Sequence, residues 1–305
     1  MFMTSLLDFL VNISAHKLFR WADIRTQLYN TDAINSKYIN IVITDKCNLS
    51  CNGCRGSIGN VQQYELSTMS YDSFVKTVDK CIEAGVCYFD LTPVIGEILL
   101  VKNIHKYLNY LENHECVKGY LMTTNGTVNN IPKGHKKLNL SLSLYGSGLN
   151  SFKTFTNKDL FKKCFDTFTS LIDIDTPIEI TLRNEDLNDI DLPFRKVMYK
   201  LLTKKNVAVH DGRVNDNRGG SVQTDITSVS REGICPCGVG SGGAIRSDNK
   251  YYYCAFNDLG KKSLIGDLKI NTLRDLRSND IWSNIVKSHL NSNYIDICKT
   301  CTAQW

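Results

Sequence analysis

No run of apolar residues in this chain approaches the ~20 that a membrane-spanning helix needs, so no membrane partner is expected. Charge of one sign is scarce: 36 Lys and Arg stand against 31 Asp and Glu, a formal net charge of +5. That excess is too mild to argue for nucleic acid, and none is expected as a partner. The apolar start Met1–Asn12 lacks a basic n-region and carries Asp8. No secretory signal is read there, and a reducing, cytoplasmic setting is expected. There is no fixed-period repeat and no low-complexity tract. With 42% hydrophobic and 22% charged residues, disordered tails, coiled coils and collagen-like chains are excluded. What is left is a globular protein of 305 residues, enough for one large domain or two moderate ones with a sizeable core.

Leu6, Leu7, Leu10 and Val11, then Leu18, Phe19, Ile24 and Leu28, recur at spacings of three and four, so residues 1–36 read as an N-terminal helical segment. Tyr38–Thr44 reads as a strand, and Ser70–Ala84 as a helix stopped by Gly85. Further strands are expected at Cys87–Pro93, Gly119–Thr124, Leu138–Leu144, Pro177–Arg183 and Val207–His210. Helices are expected at Leu99–Glu115, Phe152–Ile172 and Phe194–Lys205. Strands alternating with helices at this spacing indicate βαβ units, an α/β class and a parallel sheet, either open or closed into a partial barrel. Asp211–Ser230 is polar and Gly-rich and reads as a linker. Beyond it lie a hairpin at 244–256 and a helix over Leu273–Leu290. The domain reading is therefore 1–36, 37–212 and 213–305.

What the chain does have is cysteine, twelve in all. In a reducing compartment, grouped cysteines suggest metal rather than disulfides. Cys47, Cys51 and Cys54 stand at C-x3-C-x2-C directly after the first strand. Three thiolates in so short a loop can hold three irons of a [4Fe–4S] cube and leave the fourth open for chemistry. A zinc loop would want a fourth nearby Cys or His, and none is close in sequence. A second group comprises Cys235, Cys237, Cys254, Cys298 and Cys301. Cys81, Cys87, Cys116 and Cys164 have no partners at ligand spacing and read as small core residues. The six histidines are scattered and give no helical metal pair. Gly238–Gly243 matches G-x-G-x-x-G but follows cysteines rather than a strand, so a flexible loop beside a metal fits better than a dinucleotide site.

The cysteine loop and four further segments resemble the radical S-adenosylmethionine (SAM) superfamily over about residues 38–211. Pro93-Val94-Ile95-Gly96-Glu97 is similar to its Gly-Gly-Glu segment, with Ile95 for the first Gly. Thr124-Asn125-Gly126 matches its Thr-Asn-Gly. Ser143-Leu144-Tyr145-Gly146 is similar to its Ser-x-Asp-Gly, and Arg183 ends the fifth strand. Gly53 departs from the aromatic residue usual before the third cysteine. The resemblance implies a partial (β/α)6 barrel and SAM contacts from Gly96, Glu97, Asn125, Ser143 and Arg183.

The later cysteines resemble the family's SPASM extension in its shortened twitch form, a small α+β domain, with Asn249 in the place of a turn glycine. That implies one auxiliary [4Fe–4S] cluster on Cys237, Cys254, Cys298 and Cys301, with Cys235 as the alternative to Cys237. A structural zinc on the same residues is the competing reading. The implied function is a radical SAM oxidoreductase or maturase-like enzyme acting on a peptide. The alternatives are a small-molecule dehydrogenase of the same superfamily and a non-catalytic electron-transfer or redox-sensing protein. A molybdopterin-type cyclase ranks below these, because its auxiliary cluster uses three cysteines and its C-terminal Gly-Gly is absent here. A low-potential donor such as flavodoxin or ferredoxin is the expected redox partner.

Overall fold

The computed structural model describes residues 33–52, 54, 66–183, 191–211, 233–235, 238–254, 263–299 and 301, with Trp21 and Ile24. Most of the helical segment expected before residue 36, and the linker after Asp211, lie outside the described residues. Trp21 is helical and buried, with its ring against Tyr38 and Tyr88 at 5.8 and 6.2 Å.

Six parallel strands stand in sequence order: β1 (Tyr38–Ile41), β2 (Tyr88–Asp90), β3 (Gly119–Thr124), β4 (Leu138–Leu144), β5 (Ile178–Leu182) and β6 (Val207–Asp211). Between them run α1 (Tyr71–Glu83), α2 (Ile104–Asn113), α3 (Leu149–Thr156), α4 (Phe161–Ser170) and α5 (Leu192–Leu202). Each connection returns the chain to the same end of the sheet, so the C-terminal ends of the strands share one face. This is the α/β class with the parallel core expected from the alternation.

Local chemistry sets the element ends. Ser70 caps α1 by accepting the Ser73 N–H, and Asp191 caps α5 by accepting that of Phe194 at 2.8 Å. The helix expected over Leu99–Glu115 is a 3₁₀ turn, Ile98–Leu100, then α2, parted by Asn103 at φ 59°. The one expected over Phe152–Ile172 breaks at Asn157, φ 54°. Asparagine adopts this left-handed conformation more readily than most side chains; Asn103 precedes the first turn of α2, and Asn157 ends α3. β4 reads LNLSLSL, an alternation suggesting one wet face, yet all seven residues are buried. A central parallel strand is covered on both sides, so its small polar residues face other chain segments rather than water. Ser141 accordingly meets Thr181 across the β4–β5 pair.

The C-terminal part extends the same sheet. β7 (Ala244–Ile245) pairs parallel with β1, and β8 (Lys250–Tyr252) and β9 (Leu264–Asp267) follow antiparallel. Three helices close the chain: α6 (Leu273–Ser278), α7 (Asp280–Leu290) and α8 (Asp296–Lys299). The expected Leu273–Leu290 helix is interrupted at Asn279, whose side chain instead caps α7 through the Trp282 N–H at 2.8 Å.

The turn between β7 and β8 carries Asn249 at φ 67°, the left-handed position expected where the pattern asks for glycine. Its Oδ1 also accepts from Ser73 and Thr77 of α1 at 2.8 and 2.9 Å. Gly238–Gly243 is no flexible loop: it is buried throughout. A Cβ at Gly243 would come within 2.6 Å of the Tyr252 carbonyl oxygen, so the glycines serve close packing. Cys81 and Cys164 are core residues and Cys87 is buried, but Cys116 is exposed, lying in the turn after α2. Among the described residues no helix is long and apolar enough to cross a membrane.

Candidate active site

The loop after β1 places Cys47, Cys51 and Cys54 on one cavity at the C-terminal face of the sheet. The loop is held from three sides. Asp45 receives Ser247 Oγ at 2.7 Å and Arg246 Nη2 at 3.3 Å from the β7–β8 turn. Glu97 N–H donates to the Lys46 carbonyl at 2.8 Å. The end of α3 supplies the third hold. Its last carbonyls have no partner within the helix; Thr156 O accepts Ser50 N–H at 3.1 Å and Phe155 O accepts Asn52 N–H at 2.8 Å. Asn157 Nδ2 adds a bond to Ser50 O at 2.8 Å. A helix end thus fixes the middle cysteine of the triad.

Gly96, Glu97, Asn125, Ser143 and Arg183 line the same cavity, Gly96 and Glu97 from the segment after β2, Asn125 after β3, Ser143 near the end of β4 and Arg183 just after β5. Their parts differ. Gly96 runs directly against the start of the cysteine loop, and a Cβ there would overlap the Thr44 carbonyl oxygen. Glu97 is buried, and its carboxylate accepts from Thr124 Oγ1 at 2.7 Å, Asn125 N–H at 2.6 Å and Leu99 N–H at 3.0 Å. Burial raises its pKa, while these donors favour the ionised form. Asn125 turns its amide to the cysteine loop, donating to Asn48 Oδ1 at 3.0 Å and toward Cys47 Sγ at 3.8 Å. Glu97 and Asn125, expected among the SAM contacts, also hold this protein's own loops. Cys47 Sγ also takes the Leu49 N–H at 3.5 Å. Burial pushes the Cys47 and Cys51 thiols up, with neighbouring sulfurs adding to the rise.

Two aromatic residues escaped the sequence reading as a pair. Tyr145 and Phe155 stack at 5.5 Å and 22° on the wall of this cavity. Tyr145 sits close enough to Cys51, Cys54 and Arg183 to feel their charge. Gly53 lies outside the described residues.

The C-terminal cysteines lie on three segments that touch one another. Cys235 is buried and Cys298 is buried. Gly238 packs so closely on the next segment that a Cβ would stand 2.6 Å from Tyr253 O and 3.4 Å from Cys254 Cα. Cys301 N–H donates to Cys298 O at 3.2 Å, closing a turn between that pair. His289 links the segments: its Nδ1 accepts the Cys235 N–H at 3.2 Å, and its Nε2 lies 3.5 Å from Cys298 Sγ. Burial lowers this imidazole to about 4. Cys237 lies outside the described residues. His289 carried no sequence signal, since its partners are far along the chain or on the next helix.

No protein-family model matches the chain. Among curated proteins, it is 29% identical over 163 residues to a GTP 3′,8-cyclase of Clostridium botulinum, covering 51% of this chain and 50% of that protein. A GTP 3′,8-cyclase of Petrotoga mobilis is 26% identical over 165 residues, again 51% of this chain and 49% of the relative. The chain thus spans about half the length of these relatives. Among solved structures, BtrN in complex with AdoMet and 2-DOIA superposes with a TM-score of 0.56 at 18% identity, over 87% of this chain and 92% of that one. Native anSMEcpe with bound AdoMet gives 0.54 at 15%, over 83% of each. Streptococcus suis SuiB bound to S-adenosylmethionine gives 0.54 at 11%, over 88% and 72%.

This is the radical SAM fold. The sequence relatives and the structural neighbours together support the radical SAM superfamily.

The residues present fit the groups that superfamily implies. Among the described residues no three Cys, His, Asp or Glu side chains close on a single metal ion. A cube asks for something else, since each thiolate meets a different iron at a different corner. Three sulfurs around one cavity, one of them facing N–H donors, suit that demand. Gly96, where no side chain intrudes, and the Arg183 cation suit the amino-acid end of SAM. Gly96→Ala is expected to weaken SAM binding more than about tenfold through displacement of the Thr44–Lys46 backbone, read by calorimetry on the iron-loaded protein. Unchanged affinity would contradict the close approach.

Proposed function

We propose that the chain is a radical SAM enzyme that abstracts a hydrogen atom from a peptide substrate and oxidises or otherwise modifies it. The observation that supports this best is the meeting of Cys47, Cys51 and Cys54 with Gly96, Ser143 and Arg183 on one cavity. When bound there, a [4Fe–4S] cluster supplies the electron that splits SAM into methionine and a 5′-deoxyadenosyl radical, the species that takes the substrate hydrogen.

The protein's own part is placement and shielding. Leu49 N–H and Asn125 Nδ2 face the Cys47 sulfur and stabilise its thiolate. Arg183 offers a cation to the SAM carboxylate, and the Tyr145–Phe155 stack walls the cavity against water. Arg183→Met is expected to weaken SAM binding about tenfold, the loss of a charge-assisted hydrogen bond partly screened by solvent. An affinity within twofold of wild type would remove Arg183 from that role.

In the same proposal Cys254, Cys298 and Cys301, with Cys237 or Cys235, hold one auxiliary [4Fe–4S] cluster. With four protein ligands it would have no open iron, so it would accept the electron left on the substrate. The setting is cytoplasmic, and a flavodoxin or ferredoxin supplies the first electron.

The peptide reading is supported by native anSMEcpe with bound AdoMet and Kp18Cys peptide, a neighbour at TM-score 0.51. A second reading, oxidation of a small molecule, is supported by BtrN, whose bound 2-DOIA accompanies a match over nearly its whole chain. The names of the curated relatives bring GTP into the comparison as well. The test follows deuterium from labelled peptides, sugar alcohols and GTP into 5′-deoxyadenosine. Transfer from peptide alone is the expected result. Transfer only from an alcohol or from GTP moves the substrate class, and continuing SAM cleavage without transfer rejects all three.

A further inference from the structure

His289 is the last-turn histidine of α7, fully buried, with its ring edge-on to Tyr294 at 5.1 Å and 89°. Its two nitrogens face different cysteine segments. The Cys235 backbone N–H donates to Nδ1 at 3.2 Å, so Nδ1 carries no proton. The ring proton, assigned from this partner, is therefore on Nε2. Nε2 lies 3.5 Å from Cys298 Sγ, within reach of an N–H···S hydrogen bond.

We propose that His289 is a positioning residue of the auxiliary cluster: it fixes Cys235 and Cys298 relative to each other and donates its Nε2–H to the Cys298 sulfur, raising the reduction potential. The inference rests on the auxiliary cluster proposed above. A hydrogen bond to a ligating thiolate draws charge off the sulfur, and the reduced cluster, carrying one more electron, gains more from it than the oxidised one. The easier reduction suits a cluster that receives an electron from a substrate radical. The tautomer also matters: the backbone N–H of Cys235 holds the donor pointed at Cys298, as outer hydrogen bonds do for metal-bound imidazoles.

The test uses the full chain with Cys47, Cys51 and Cys54 replaced by alanine, so that the auxiliary cluster is observed alone. After anaerobic reconstitution, iron is counted and the midpoint potential is read by paramagnetic resonance during a redox titration. His289→Asn keeps an acceptor for Cys235 but cannot reach Cys298. It is expected to hold about four irons and to be about tenfold harder to reduce, a negative shift of about 59 mV for one electron. His289→Gln, whose amide can stand where Nε2 stood, is expected to recover most of that shift. An unchanged potential in His289→Asn overturns the donor role. Loss of iron from both variants overturns it too, marking His289 as a ligand. A background protein with His289 intact but no iron, or with zinc instead, overturns the auxiliary cluster and this inference with it.

Discussion

Replacing Cys47, Cys51 and Cys54 together by alanine is expected to lower bound iron from about eight atoms per chain to about four and to abolish formation of 5′-deoxyadenosine. In the proposed cluster each thiolate would hold one iron, and no other described cysteine lines that cavity. The loop itself should persist, because its hold comes from elsewhere: Ser50 and Asn52 on the end of α3, and Asp45 on Arg246 and Ser247. Retained circular dichroism with halved iron is therefore the combined expectation. The remaining four irons would report the second group of cysteines. Iron unchanged from wild type contradicts the assignment of the first triad, and iron reduced to zero contradicts the second cluster.

Arg277→Met is expected to destabilise the protein by about 3 kcal/mol. Arg277 is only 1% exposed, yet among the described residues no carboxylate is hydrogen-bonded to it. Its guanidinium donates to Ser36 O at 2.7 Å, Tyr38 O at 3.1 Å and Gly242 O at 2.8 Å. It thereby sews α6 and the glycine turn before β7 to the start of β1. Methionine fills much of the volume but takes a donor from three buried carbonyls; Tyr38 O and Gly242 O keep the hydroxyls of Ser36 and Tyr251, so the loss is largest at Ser36 O, at about 1–3 kcal/mol, with smaller losses at the other two. Part of that is offset because a buried charge no longer has to be desolvated. Lysine should be nearly as damaging, since one ammonium on a shorter side chain cannot reproduce the fork. Denaturant unfolding reads the change; a loss below about 1 kcal/mol would show that the seam between the two parts of the sheet does not depend on Arg277.

The parts of this molecule that were legible in the sequence are those whose cause is local. The C-x3-C-x2-C spacing names its loop without help from the rest of the chain. So does the turn at Asn249, where the pattern required a residue tolerant of positive φ and the backbone adopts 67°. The six-strand alternation is also local, because each βαβ unit repeats the same change of period. What the sequence hid depends on distant partners. Asn157 acts on Ser50, His289 on Cys235, and Arg277 on Ser36. β7 has only two residues, too few for a periodic signal, so the continuation of the parallel sheet into the cysteine-rich segment could not be read. The glycine run 238–243 misled in the same way: composition suggests mobility, but close contact with Tyr38, Tyr251 and Tyr252 is what requires the missing side chains. Helix breaks at Asn103, Asn157 and Asn279 were passed over because apolar spacing continues across them.

The most direct test of the account is a single anaerobic assay. Wild-type protein, reconstituted to about eight irons and reduced with dithionite, is incubated with SAM, and 5′-deoxyadenosine and methionine are quantified. The account predicts both products in equal amounts, dependent on reductant and absent from the Cys47/Cys51/Cys54 alanine variant. Fully loaded, reduced protein that binds SAM but forms no 5′-deoxyadenosine would contradict it and leave an iron–sulfur protein that carries or senses electrons.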